Sequence, residues 1–140
     1  VRHYARLSGT DGLVGGWRTV DPNPSQMLKV TLAKQEITLE YPLAHQTATL
    51  PFSGAQIHSI VNGAPAKGTE TLQFVDAHSF RLANLQEGVV IGRASFSLSS
   101  DGSMITERFW LDQHPEEVAQ YTYRRSHQMS RQSIYRSITL

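Results

Sequence analysis

The sequence predicts an all-β protein, a mostly antiparallel up-and-down β-barrel of eight to ten strands. Three observations predict it. Apolar and polar residues alternate with period two through most of the chain, as they do where one face of a strand is buried and the other wet. Clusters of Gly, Pro, Asn and Asp separate these runs at short intervals, the cadence of a sandwich or barrel. No long crossover interrupts the series, so successive strands pair as a meander, and closing a meander removes its exposed edges.

Composition narrows the function classes. A chain of 140 residues suits one domain with a real core. The net charge of +1 and charged fraction of 18% are too balanced for a nucleic-acid footprint, and the 13 Lys and Arg are scattered until the C-terminus. With no cysteine, a disulfide framework, thiolate chemistry and a Cys-based zinc site are all excluded. No apolar run approaches the roughly 18 residues that read as a transmembrane helix. The chain opens at Val1 rather than Met, which fits a trimmed or processed protein. A removed export signal, and so a periplasmic or secreted location, is the expectation, with the cytoplasm as the alternative. The oligomeric state stays open, a homodimer included.

In chain order, residues 1–13 form a turn-rich coil or single short turn that closes one end of the barrel, with Ser8-Gly9-Thr10-Asp11-Gly12 too glycine-rich for a stable helix. Gly15-Gly16-Trp17 opens the first strand. A bulky ring behind small residues suits a barrel floor, where the indole plugs the end and the backbone turns in. Asp21-Pro22-Asn23-Pro24-Ser25 stops that strand. Leu28, Val30 and Leu32 then share one face, and after a tight connection Ile37, Leu39 and Tyr41 share the next. Ala48, Leu50 and Phe52 follow on a strand that Pro51 confines to an edge or bulge.

Asn62-Gly63 is the strongest hairpin signal in the chain, here lengthened by residues 64–68. Leu72 and Phe74, then Phe80 and Leu82, continue the inward faces. A long strand carries Val90, Gly92, Ala94, Phe96 and Leu98 on one side. Ser100-Asp101-Gly102 is a three-residue hairpin with its glycine in the left-handed position. Residues 103–113 return, and 117–125 make the last strand. The barrel domain thus spans 1–126. The tail 127–140 is expected to be a short helix, since Arg131, Ile134, Tyr135 and Ile138 fall at helical spacing.

With Gly15-Gly16-Trp17 on the first strand and Arg124-Arg125 ending the last, the chain resembles the lipocalin-like branch of the calycin superfamily. The Ser99-Ser100-Asp101-Gly102 hairpin and the Tyr123-Arg124-Arg125 ending are similar to those of small bacterial lipocalin-like proteins of unassigned function. The likeness spans roughly residues 10–126; a second Thr-Asp-Tyr motif is missing. The resemblance implies a G-x-W tryptophan covered by an arginine from near the barrel's end, so that Gly15, Trp17 and Arg125 would form the barrel closure. Parity selects Arg125 over Arg124, because Tyr121 and Tyr123 share its face and that face is the more apolar.

Catalytic motifs are weak. No G-x-S-x-G elbow occurs. The histidines, at positions 3, 45, 58, 78, 114 and 127, are too dispersed in sequence for a chelate, so neither metal nor cofactor is expected. Glu107 stands out between Ile105 and Phe109. Facing inward, it would have a raised pKa and could act as acid or base. The expected arrangement is the opposite one, with Met104, Thr106 and Trp110 inward. Small inward residues (Gly92, Ala94, Ala48 and Ala119) tilt toward a cavity, while a packed core in which small residues face large ones is equally compatible.

The resemblance implies non-enzymatic binding of a small apolar or amphipathic molecule inside the barrel, lined by Tyr41, Phe52, Phe74, Phe96 and Tyr121. Two alternatives stand beside it. One is a calycin-type isomerase or cyclase using Glu107 or a tyrosine; the other is a packed barrel that binds proteins through a patch around Trp110. A pocket without an ionisable group favours binding, one with Glu107 in its wall favours chemistry, and no pocket leaves the interaction module.

Overall fold

A computed structural model describes residues 10–19 and 26–125. The Asp21-Pro22 turn, the tail 127–140, His3 and His127 lie outside the described residues. The strands are β1 (Gly15–Thr19), β2 (Met27–Ala33), β3 (Glu36–Tyr41), β4 (Gln46–Pro51), β5 (Ile60–Val61), β6 (Ala64–Pro65), β7 (Thr69–Asp76), β8 (Ser79–Gln86), β9 (Val89–Leu98), β10 (Met104–Leu111) and β11 (His114–Arg125). Nine of these have five or more residues, within the expected eight to ten. The other two, β5 and β6, are a two-residue hairpin.

All eleven strands belong to one antiparallel sheet in the order β6-β5-β4-β3-β2-β1-β11-β10-β9-β8-β7. The first and last strands pair directly, with Trp17 opposite Arg125. The sheet curls until β4, beyond its short pairing with β5, approaches the edge strand β7. The segment that follows β4 joins β7 there by one isolated bridge, in which Ile57 and Glu70 exchange backbone hydrogen bonds of 3.0 and 2.8 Å. Pro51, at the end of β4, suits this weakly paired seam.

The period-two pattern sets what lies inside. Leu28, Val30, Ile37, Leu39, Leu50, Phe80, Phe96 and Ile105 are fully or nearly fully buried, each contributing about 1.5–3 kcal/mol of transfer free energy. The turns follow local chemistry. Asn62 and Gly63 both take positive φ (52° and 81°), the two-residue type I′ turn whose twist matches the flanking strands. That turn pairs Val61 directly with Ala64, so the hairpin is tight and residues 64–68 do not lengthen it. The β9–β10 loop is longer than expected, since Ser99 donates its backbone N–H to Met104 and leaves four residues between. Asp101 organises it, accepting bonds from both serine hydroxyls, Ser99 and Ser103, at 2.7 Å. These bonds hold its carboxyl down at about 2, below the ordinary 3.8.

Two ends result. At the closed end a short 3-10 turn, Thr10–Leu13, folds beneath β1 and takes a 3.0 Å bond from the Trp17 indole N–H to the Leu13 carbonyl. The Arg125 guanidinium lies 4.4 Å from the Trp17 ring centroid and donates to the carbonyls of Gly12, Val14 and Gly102. Gly15 makes room for it: its φ is +138°, and a Cβ there would stand 3.0 Å from the guanidinium. Above this plug, Phe52, Phe74, Phe80 and Phe96 form a continuous run of ring contacts, with successive centroids 4.9, 5.9 and 4.6 Å apart.

Candidate functional site

Toward the other end the packing gives way to a cavity of about 410 Å³, within the range of about 300–1,000 Å³ typical of small-molecule sites. The small residues flagged in the sequence explain where it opens. Ala48, Ala94 and Ala119 line it, leaving space that larger side chains would fill. Gly92 does something different, giving room to the Phe109 ring, whose atoms would lie 3.4 Å from a Cβ at that position. The interior is therefore packed at the closed end and hollow at the open one.

Of the five residues expected to line a cavity, Tyr41, Phe96 and Tyr121 do so. Phe52 and Phe74 stand apart from it, in the aromatic run below. Trp110 lies on the outer face, half-buried in a groove beside Arg81 and Arg93. The histidines do not converge among the described residues; His114 does stand near Glu116 and Glu117, all three exposed. His58 has a local role, its Nδ1 lying 2.8 and 3.0 Å from the carbonyls of Ala66 and Gly68.

The expected orientation of β10 is overturned. Glu107 faces inward with Ile105 and Phe109, is only 8% exposed, and forms part of the cavity wall. Pairing explains why. Glu107 sits opposite Tyr121 on β11 and Phe96 on β9, both inward-facing, so the register fixes its side. Two hydroxyls then compensate the buried carboxylate. Tyr123 donates to Oε1 at 2.6 Å and Tyr41 to the same oxygen at 3.3 Å. Gln26 extends the chain, its Nε2 donating to the Tyr123 hydroxyl at 2.7 Å. No described donor reaches Oε2.

The electrostatics follow from this burial. Desolvation raises the Glu107 carboxyl above its ordinary value, and the two tyrosine bonds offset part of that rise. Burial and the neighbouring carboxylate push Tyr41 and Tyr123 further from ionisation, so both remain donors. A second carboxyl, Glu70, also lines the cavity and is raised by burial, with a bond from Ser59 opposing. Asn84 and Gln46 complete the polar lining. The sequence points to the Tyr121 or Tyr123 hydroxyl as a polar group of the interior but not to Gln26, Glu70 or the bond from Tyr123 to Glu107; the inward parity of the two tyrosines, paired across to β10, was the one available signal.

Fold and site together define an antiparallel β-barrel with a partly polar cavity toward one end. Among solved structures the chain is similar to a Schistosoma mansoni fatty acid binding protein in complex with arachidonic acid, with a TM-score of 0.66 over 84% of this chain and 98% of that one. Identity is 9%, so the likeness shows the fold. No protein-family profile and no curated protein sequence matches the chain.

Proposed function

We propose that the chain binds a small amphipathic molecule in the open half of its barrel. The observation that carries this reading is a cavity of about 410 Å³ with apolar walls from Leu39, Leu82, Phe96 and Phe109 and a polar cluster, centred on Glu107, gathered at one side. Apolar walls with few convergent polar groups suit a ligand with a greasy body and one polar end. The ligand of the structural neighbour, arachidonic acid, is consistent with the greasy body. Kinship with small bacterial lipocalin-like proteins belongs to the same reading, through Gly15, Trp17 and Arg125.

A second reading has a specific observation in its favour. Glu107 stands in the cavity wall with a raised pKa, the state suited to proton transfer in an isomerase or cyclase. Binding takes precedence because both tyrosine hydroxyls are engaged by Glu107 Oε1 itself, so neither is turned toward a bound molecule as a partner acid.

The test is native mass spectrometry of protein purified from its own host, together with titration by Nile red, a neutral apolar dye. The expected result is one co-purifying small molecule or one dye per chain, displaced by amphiphiles. A chain that carries nothing and leaves the dye dark would refute the proposal; a co-purified molecule converted on incubation would favour the catalytic reading.

A further inference from the structure

The cavity contains an asymmetry of charge. Its lining includes two carboxylates, Glu107 and Glu70, and among the described residues no lysine, arginine or histidine. The basic side chains are placed elsewhere by strand parity. Lys29, Arg81, Arg93 and Arg108 alternate to the outer face, where Arg93 pairs with Asp112 at 2.9 Å and Arg108 donates to Gln120 at 3.1 Å. Arg125 is committed to the plug at the closed end.

Glu107 is not simply a buried acid satisfied by its neighbours. Both tyrosine hydroxyls converge on Oε1, and no described donor reaches Oε2. Every fully buried side-chain oxygen among the described residues has a partner, so Oε2, which has none, opens to the cavity, and a cationic or strongly donating group brought there stabilises the carboxylate. A ligand carboxylate at the same place would meet a like charge with nothing to balance it, which is a repulsive selection against that class.

Resting on the binding reading above, we propose that the ligand is an amphipathic amine, its ammonium group at Glu107 Oε2 within reach of the Glu70 side of the cavity, and that fatty carboxylates are rejected. Tyr41 and Tyr123 serve as positioning residues, holding Oε1 so that Oε2 faces the ligand. The apolar chain runs toward the Phe96 and Leu82 walls.

The experiment compares three probes of equal chain length, dodecylamine, dodecanol and dodecanoate, each kept below its micellar concentration and read by Nile red displacement and calorimetry near neutral pH. The amine is expected to bind at least about tenfold more tightly than the carboxylate, with the alcohol between them. In Glu107→Gln, verified as folded by circular dichroism, the amine-to-alcohol affinity ratio is expected to fall about tenfold. Glu70→Gln is the second variant, expected to lower the same ratio by a smaller factor. Dodecanoate binding as tightly as the amine would overturn the headgroup assignment and leave the binding function intact. An amine preference that survives both substitutions would overturn it too, by locating the attraction elsewhere. If none of the three displaces the dye, it is the binding function itself that fails.

Discussion

Replacing Tyr123 with Phe is the sharpest probe of the polar cluster, because it deletes one oxygen and leaves the buried ring in place. Tyr123 is 0% exposed, so Phe keeps its packing. Lost are the 2.6 Å bond to Glu107 and the acceptor of Gln26. A hydrogen bond to a charged group contributes about 1.5–3 kcal/mol and one between neutral groups about 1 kcal/mol. The deficit should therefore depend on pH. Below the ordinary carboxyl value of 4.5, Glu107 is protonated in both folded and unfolded chains and the neutral figure applies. The folded carboxyl is raised, so its contribution to stability is lost as pH rises through that folded value. Removing a bond that lowers the folded value raises it further and deepens the loss. Tyr123→Phe should thus cost about 2 kcal/mol in acid, one for each bond lost, and about 2.5–4 kcal/mol near neutrality. For a domain of this size each kcal/mol corresponds to roughly 3–5 °C in Tm. Urea and thermal unfolding from acid to neutral pH provide the measurement. A deficit that is constant with pH, or larger in acid, would refute the argument.

Glu107→Gln should remove one source of the decline in stability with rising pH, so that the variant gains on the parent as pH climbs above 4.5; parallel stability curves would count against the raised carboxyl. Ala94→Leu should occupy open cavity space, cutting Nile red affinity at least about tenfold while changing stability by no more than about 1 kcal/mol, checked by titration and urea unfolding. Arg125→Met should cost about 2–3 kcal/mol through loss of the indole contact and of the bonds to the Gly12, Val14 and Gly102 carbonyls, read as a fall in Tm. The Asp101 carboxyl should titrate at about 2 in an NMR pH series; a midpoint at 3.8 would show that the two serines do not hold it.

Most of the barrel was legible because burial on one face writes itself into every second residue, as in Leu28-Val30-Leu32 and Ile37-Leu39-Tyr41. β10 was harder for a physical reason. Both of its faces carry large apolar groups, Ile105 and Phe109 on one and Met104 and Trp110 on the other, so local pattern cannot choose between them. The choice is made by pairing with β9 and β11, which no window on β10 contains. β11 begins at His114 rather than at 117 because ladder bonds do not require burial, and its first residues are exposed. Glu70 and Gln26 carried no signal, since a single polar residue at a strand end looks the same whether it faces water or a cavity.

The bridge that ties Ile57 to β7 has a thermodynamic consequence. One residue, Glu70, both fastens that seam through its backbone and sends its carboxylate to the cavity. Under the binding reading proposed above, unzipping there withdraws that side chain from the ligand, so occupancy and closure would be coupled, each strengthening the other by the same factor. Amide exchange at Ile57 and Glu70 should slow when the lumen fills, so those two protons report on a guest they do not touch.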